Sequence, residues 1–299
     1  MKRKVIQLAG KTFVVSLPQA WAKAHNVRKG QEVEVTEETT GLCIHANGLE
    51  EKKKITVDVR LYDVRTVKSI LSVLHKLGFD EVEIFFGRGQ QETILERVKT
   101  NLMGFEVVQQ TAERVVIQNV AGDADESLDV LVRRIFLVTL ELARGVEHAL
   151  AQRSSANELV SLEETNNKLT NYCHRLLLKK PSGSSVFLYV LLWLQEKIAD
   201  DYREIIQHMS NVKITRAMQE SSRVLRVCAE EFYAAVYAQD IQEVMKVRVH
   251  VQQVNSNGTD QVSRGLWSLK QHILDGLGSL TARIFVQIKE RDQLHQMSH

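Results

Sequence analysis

Apolar and polar positions alternate over Val5–Leu8, and a second short β-rich run follows at Phe13-Val14-Val15. The same period of two returns at Glu32-Val33-Glu34-Val35 and Leu42-Cys43-Ile44, joined through Thr39-Thr40-Gly41, which predicts four short strands. Between the pairs, Ser16-Leu17-Pro18 opens a short helix with Trp21 and Ala24 on one face, stopped at His25-Asn26 and followed by a turn over Arg28–Gln31. So small a unit cannot bury much core by itself, and an intertwined dimer is the economical solution. Further along, Ile55–Val59 and Glu81–Phe85 read as strands, and Phe105–Val108 and Arg114–Ile117 as two more across a turn near Gln110-Thr111. Asp63–Leu77, ended by Gly78, carries Val64, Val67, Ile70, Leu71 and Leu74 at helical spacing, and Thr93–Leu102 turns Ile94, Leu95 and Val98 inward. Four strands with two helices on one face make a small α/β sandwich.

From residue 123 onward the period changes to three and four and stays there. Helices are predicted near Asp125–Gln152, Asn157–Leu178 and Ser185–Met209, then Lys213–Ala238, Ile241–Asn255 and Thr259–Gln293. The breaks fall at Pro181-Ser182-Gly183, Asp240 and Asn257-Gly258. Three helices, a break and three helices suggest two tandem units packed as one bundle. The expected organisation is therefore multidomain: a β-rich head over 1–48, an α/β domain over 52–121, and an all-α bundle over 123–299 with repeats at about 123–210 and 212–295.

Composition changes this picture little, and charge changes it sharply. The 299 residues are 44% apolar and 25% charged with only two prolines, which excludes collagenous and disordered classes and favours long helices. Three scattered cysteines argue against a disulfide scaffold or zinc finger. The longest apolar run, Val186–Leu194, is nine residues, far short of the ~20 that span a bilayer. A soluble, cytoplasmic protein without membrane insertion is expected. The net charge of +2 hides a segregation: residues 1–31 hold seven Lys or Arg and no acid, whereas 32–51 hold six acids and no Lys or Arg. An exclusively basic first segment points to a local polyanion contact.

The head resembles the swapped-hairpin AbrB/SpoVT type of DNA-binding domain, in the form common in archaeal regulators. The resemblance rests on Arg3-Lys4-Val5, Gly10-Lys11, Val15-Ser16-Leu17-Pro18, Trp21, the Val27–Gly30 turn and the Glu32–Val35 strand. It implies a homodimer through exchanged hairpins, with Arg3, Lys4, Lys11 and Lys23 on DNA. Ala22 precedes Lys23 where the family has paired arginines, and the Gly10–Pro18 segment is longer than in bacterial members.

The bundle resembles the PhoU family of phosphate-uptake regulators, through Leu131-Val132-Arg133-Arg134, the Glu163–Leu169 stretch, and Leu194-Gln195-Glu196-Lys197-Ile198-Ala199-Asp200-Asp201. With the head and a Met103-Gly104-Phe105-Glu106-Val107 middle segment, the chain is similar to archaeal PhoU-domain proteins across nearly its whole length. The resemblance implies surface metal sites, divalent or iron, built on Glu-x-x-x-Asp. Glu196 and Asp200, four apart on one helical face, would share an ion with Glu164. Asn167 and Ser279 stand where aspartates belong, so at most one site is expected, and solvated acids pairing with Lys197 or Arg203 are the simpler reading.

No enzyme signature emerges. Gly87-Arg88-Gly89 lacks the further Gly and Lys of a phosphate loop and reads as a turn. Cys173-His174 reads as core and surface, Trp193 as core or a dimer seam, and His295 with His299 as a frayed end. The expected function is a DNA-binding transcriptional regulator of phosphate uptake, its bundle sensing a partner, a metal or phosphate status. The alternative is an adaptor that binds no DNA and docks on a phosphate transporter ATPase or signalling proteins.

Overall fold

The computed structural model describes residues 2–8, 10–38, 41–46, 52–121, 127–154, 156–179, 185–255 and 258–297. The turn residues Thr39-Thr40, the break at Pro181-Ser182-Gly183, Asn257, His299 and the acids Glu50, Glu51, Asp123 and Asp125 lie outside them, as does the side chain of His295. The chain divides into two compact units, Met1–Lys52 and Lys53–His299.

In the first unit, β1 (Val5–Leu8) and β2 (Thr12–Val15) pair antiparallel with Val5 opposite Val15. Gly10 turns the hairpin at φ +73°, a left-handed conformation open to glycine, and Gln7 Nε2 donates to its carbonyl at 3.0 Å. Helix α1 (Gln19–Ala24) starts after Pro18, whose fixed φ of −62° suits the helix entry, and Asn26 at φ +53° ends it. Strands β3 (Val33–Glu38) and β4 (Gly41–Ala46) form a second, separate hairpin. No described side chain of this unit is buried; Val5, Phe13 and Leu42 are each at least 66% exposed. Two isolated hairpins have no core, and a two-stranded hairpin is marginal in water.

The second unit begins with one four-stranded sheet in the order β5-β6-β8-β7, from β5 (Lys54–Asp58), β6 (Glu81–Phe85), β7 (Phe105–Gln110) and β8 (Arg114–Asn119). β5 and β6 run parallel through α2 (Val64–Lys76), which Asp63 caps by accepting from Thr66 N–H; the other pairs are antiparallel. α3 (Gln91–Asn101) leads to β7, and Gly87 to Gln90 form the turn before it, with Gln90 Oε1 accepting from Gly87 N–H. Val67, Leu71, Val82, Ile84, Ile94, Val98, Val115 and Ile117 fill the core of this layer.

Six helices follow: α4 (Leu128–Gln152), α5 (Val160–Lys179), α6 (Ser185–His208), α7 (Arg216–Ala238), α8 (Ile241–Gln252) and α9 (Gln261–Met297). Each triplet packs internally in the same way, α4 on α5 and α6 as α7 on α8 and α9, and the triplets meet through α4 on α7 and α6 on α9. α9 runs on to Met297, beyond the expected end at 293. A single core holds the bundle, from Leu131 and Ile135 on α4 to Leu225 on α7 and Leu269 on α9. Within the Val186–Leu194 run, Leu188, Leu191, Leu192 and Leu194 are buried, but Trp193 is 45% exposed, which corrects its reading as core. Among the described residues no helix is long and apolar enough to cross a membrane.

Candidate nucleic-acid interface and the acidic trio

The head presents its cations without competition. Arg3 and Lys4 precede β1, Lys11 sits on the β1–β2 turn, and Lys23 lies in the last turn of α1. All four are exposed, and none of their side chains makes a hydrogen bond or ion pair among the described residues. The hairpin register separates them: Lys4 adjoins the Val5–Val15 end and Lys11 the Leu8–Thr12 end. At about 3.3 Å per strand residue, that is a separation on the order of 15 Å along one hairpin. One copy of the chain therefore offers spaced contacts suited to successive phosphates rather than one compact cluster. Arg28 and Lys29 add to the surface in the next turn, where Arg28 N–H donates to Gln31 Oε1 at 3.1 Å and Gly30 takes φ +84°.

Of the acidic trio, Glu164 is exposed on α5, Glu196 faces Lys76 of α2 at 3.5 Å, and Asp200 accepts from Lys197 Nζ at 2.5 Å. Each of the two α6 acids thus already has a cation. Among the described residues no group of three or more His, Cys, Asp or Glu is placed to hold a metal ion. The buried carboxylate on α5 is the neighbouring Glu163. It accepts from Arg203 Nη1 at 3.0 Å and from Asn167 Nδ2, while burial pushes its pKa up against the pull of Arg203. Asn167, which weakens a metal site by lacking charge, here serves as a donor to a carboxylate.

The joint between the α/β layer and the bundle carries chemistry that sequence reading missed. Arg175 of α5 is fully buried and bonds Asp80, the residue before β6, and also donates to Phe79 O at 2.6 Å and His75 O at 3.2 Å. Lys179 Nζ reaches the same carboxylate at 3.0 Å, and Lys53 N–H donates to it at 3.1 Å. Burial alone would raise the Asp80 pKa, but Lys179, the Lys53 amide and Arg175 together hold it below the usual carboxylate range. Gly78, at φ +81°, brings the backbone so close to Lys179 that an added Cβ would lie 2.8 Å from its Cγ. His174 is buried beside Cys173, not on the surface, and donates through Nε2 to Tyr189 O at 3.0 Å with its ring stacked on Tyr189 at 3.9 Å. Burial pulls its pKa down to about 4, with Lys76 adding to the effect. No local signal marks Asp80 as the partner of Arg175, since 95 residues separate them.

Residues 6–54 match the family model described as antidote-toxin recognition MazE, bacterial antitoxin. The head is similar to a MazE/AbrB-type domain. The match ends at residue 54, where β5 begins. No curated protein and no solved structure matches the chain.

Proposed function

We propose that this protein is a DNA-binding transcriptional regulator: two copies of the head combine on DNA, and the bundle receives the signal that controls binding. The observation that carries the reading is the head itself, a unit with no buried side chain among the described residues, seven cations over residues 1–31, and a MazE-type match over 6–54. Val5, Ile6, Leu8, Phe13 and Val35, all more than half exposed, are the surface that a second copy would cover. The finer reading, control of phosphate uptake, rests on the PhoU-like residues of α4, α5 and α6 and is supported by the matching packing of the two helix triplets. Fold analogy carries that half, so the site decides it.

The test is binding of the full chain to genomic DNA fragments across a salt series. Affinity that falls steeply with salt, and that falls for all sequences alike in Lys11→Ala/Lys23→Ala, supports the reading, because each neutralised phosphate releases counterions. Absent binding moves the protein to the adaptor class, in which the head only dimerises, whereas equal binding by that variant overturns the assignment of Lys11 and Lys23 to the interface.

A further inference from the structure

The four-stranded sheet ends in two edges, β5 and β7, and they differ. In β7 the ladder to β8 slips between Val107 and Gln109, a bulge that bends the strand and spoils its outer edge for pairing. β5 is regular, its register with β6 unbroken from Lys54–Glu81 to Asp58–Phe85. Glu81 N–H donates to Lys53 O at 3.2 Å and Val59 N–H to Phe85 O at 2.8 Å, so the odd-numbered residues of β5 turn their backbone groups toward β6. The N–H and C=O of Lys54, Thr56 and Asp58 therefore point outward, and among the described residues no strand pairs with them. Such a row is a template for another strand. Ile55 and Val57 pack, half-buried, against the core of the layer. Lys54, Thr56 and Asp58 are exposed on the opposite face, where Lys54 Nζ meets Glu81 at 3.0 Å, Thr56 Oγ1 donates to Glu83 at 2.9 Å, and Arg60 binds Asp58.

The strand reads Lys-Ile-Thr-Val-Asp, a string that is complementary to its own reverse about Thr56. We propose that β5 pairs antiparallel with β5 of a second copy, the two-fold axis passing beside Thr56, so that the two sheets join into one. In this register Lys54 stands opposite the second copy's Asp58, Ile55 opposite its Val57, and Thr56 opposite its Thr56. The outward N–H and C=O groups of Lys54, Thr56 and Asp58 all find partners in the same ladder. The charged row Glu81–Lys54 continues into Asp58 and Arg60 of the second copy, alternating in sign across the seam. Charges on an edge strand ordinarily deter pairing; here they select one occupant, since in-register parallel pairing would set Lys54 against Lys54 and Asp58 against Asp58. Beyond the strand, in the turn closed by Tyr62 N–H on Val59 O at 3.0 Å, Leu61 keeps 97% of its surface and offers an apolar contact at each end of the seam. So short a strand pair is marginal by itself. Only residues 47–53 separate β4 from β5, a span under about 30 Å, so copies already joined at their heads hold the two strands at high effective concentration. The seam goes beyond the proposed function and rests on the pairing of the heads only for its strength.

The experiment is disulfide trapping in the full chain under mild copper-phenanthroline oxidation, with Cys43→Ser as background because Cys173 and Cys228 are buried. Thr56→Cys should give covalent dimer on a non-reducing gel, since directly opposed strand residues have Cα atoms about 5.5 Å apart, within disulfide reach. Lys54→Cys alone and Asp58→Cys alone should link at least about tenfold more slowly, because neither position meets its own copy. Lys54→Cys/Asp58→Cys in one chain should link like Thr56→Cys, and adding Thr56→Pro should abolish that link. The proline removes only an outward N–H, so melting of the larger unit should stay close to the parental temperature. No link at position 56, equal linking in either single variant at 54 or 58, or a double-variant link that survives Thr56→Pro would each overturn the seam. DNA binding without the link at 56 would overturn the seam and leave the regulator standing; the link without DNA binding would do the reverse.

Discussion

The head and the remainder of the chain solve the same problem in opposite ways. Over residues 53–299, Ile135, Leu191, Leu225 and Leu269 are fully withdrawn from water and every described helix from α4 to α9 contributes to one core. In the head, Phe13 keeps 69% of its surface and no described residue is buried. Both segments carry ordinary apolar patterns, so pattern alone does not decide whether a unit is self-sufficient. What decides it is the number of layers that one chain can stack: a helix triplet packs on a second triplet, whereas two short hairpins have only each other or another copy.

The contrast can be broken most directly at the joint of the larger unit. Asp80→Asn leaves Arg175 buried without its charge partner, and a loss of about 3–5 kcal/mol in denaturant unfolding is expected, partly restored by adding Arg175→Met. A loss of only a few tenths would show that Lys179 and the backbone carbonyls hold the joint alone. Leu131→Ala, at a fully buried position of α4, should cost about 2–5 kcal/mol at unchanged protein-concentration dependence, since that core is complete within one chain. Unfolding of the head, by contrast, should shift to higher temperature as protein concentration rises if a second copy covers its exposed apolar surface, as proposed. A concentration-independent head transition would sink the two-copy account.

A third effect depends on pH. His174 has a folded pKa of about 4, below the unfolded value near 6.5, so the unfolded chain binds more protons between those limits. Stability is therefore full above about pH 6.5 and is lost as pH falls toward 4, by on the order of 3 kcal/mol. Asp80 acts in the same direction at lower pH, its depressed pKa giving stability that disappears as the carboxylate protonates. In His174→Gln the decline between pH 6.5 and 4 should flatten, measured by urea unfolding across that range. The smallest expected change is in Lys11→Ala/Lys23→Ala, where melting of the larger unit stays at the parental temperature while DNA affinity falls. A shift in melting would mean that those cations pack against something.

Much of the fold was legible because it is written locally. Asp63 and Gly78 bracket α2, Gly10 marks the first hairpin, and alternation at Val33 and Val35 marks the second. The break at Asp240 is an N-cap, its carboxylate accepting from Gln242 N–H at 2.8 Å. The sites were less legible. Lys197, three residues from Asp200 on the same helix, was within reach of a sequence reading, but the Lys76 that faces Glu196 is known only once the chain has folded and α2 stands beside the bundle. His272 carries no motif, yet its Nδ1 donates to Asp201 at 2.6 Å across two helices. Glu163 and Glu164 are adjacent carboxylates, and the helical rotation of about 100° between them buries one and exposes the other.

The sequence by itself determined the element order, the helix caps and turns, the basic character of the first 31 residues and the change from period two to period three to four near residue 123. Those features depend on backbone preference and on which side chains are apolar, and neighbours in the chain settle them. Tertiary structure alone decided that Arg175 meets Asp80, that Arg203 meets Glu163, and that Trp193 faces outward. These pairings and burials depend on distances between residues far apart in the chain, 95 positions for Arg175 and Asp80, and those distances exist only after the elements have packed.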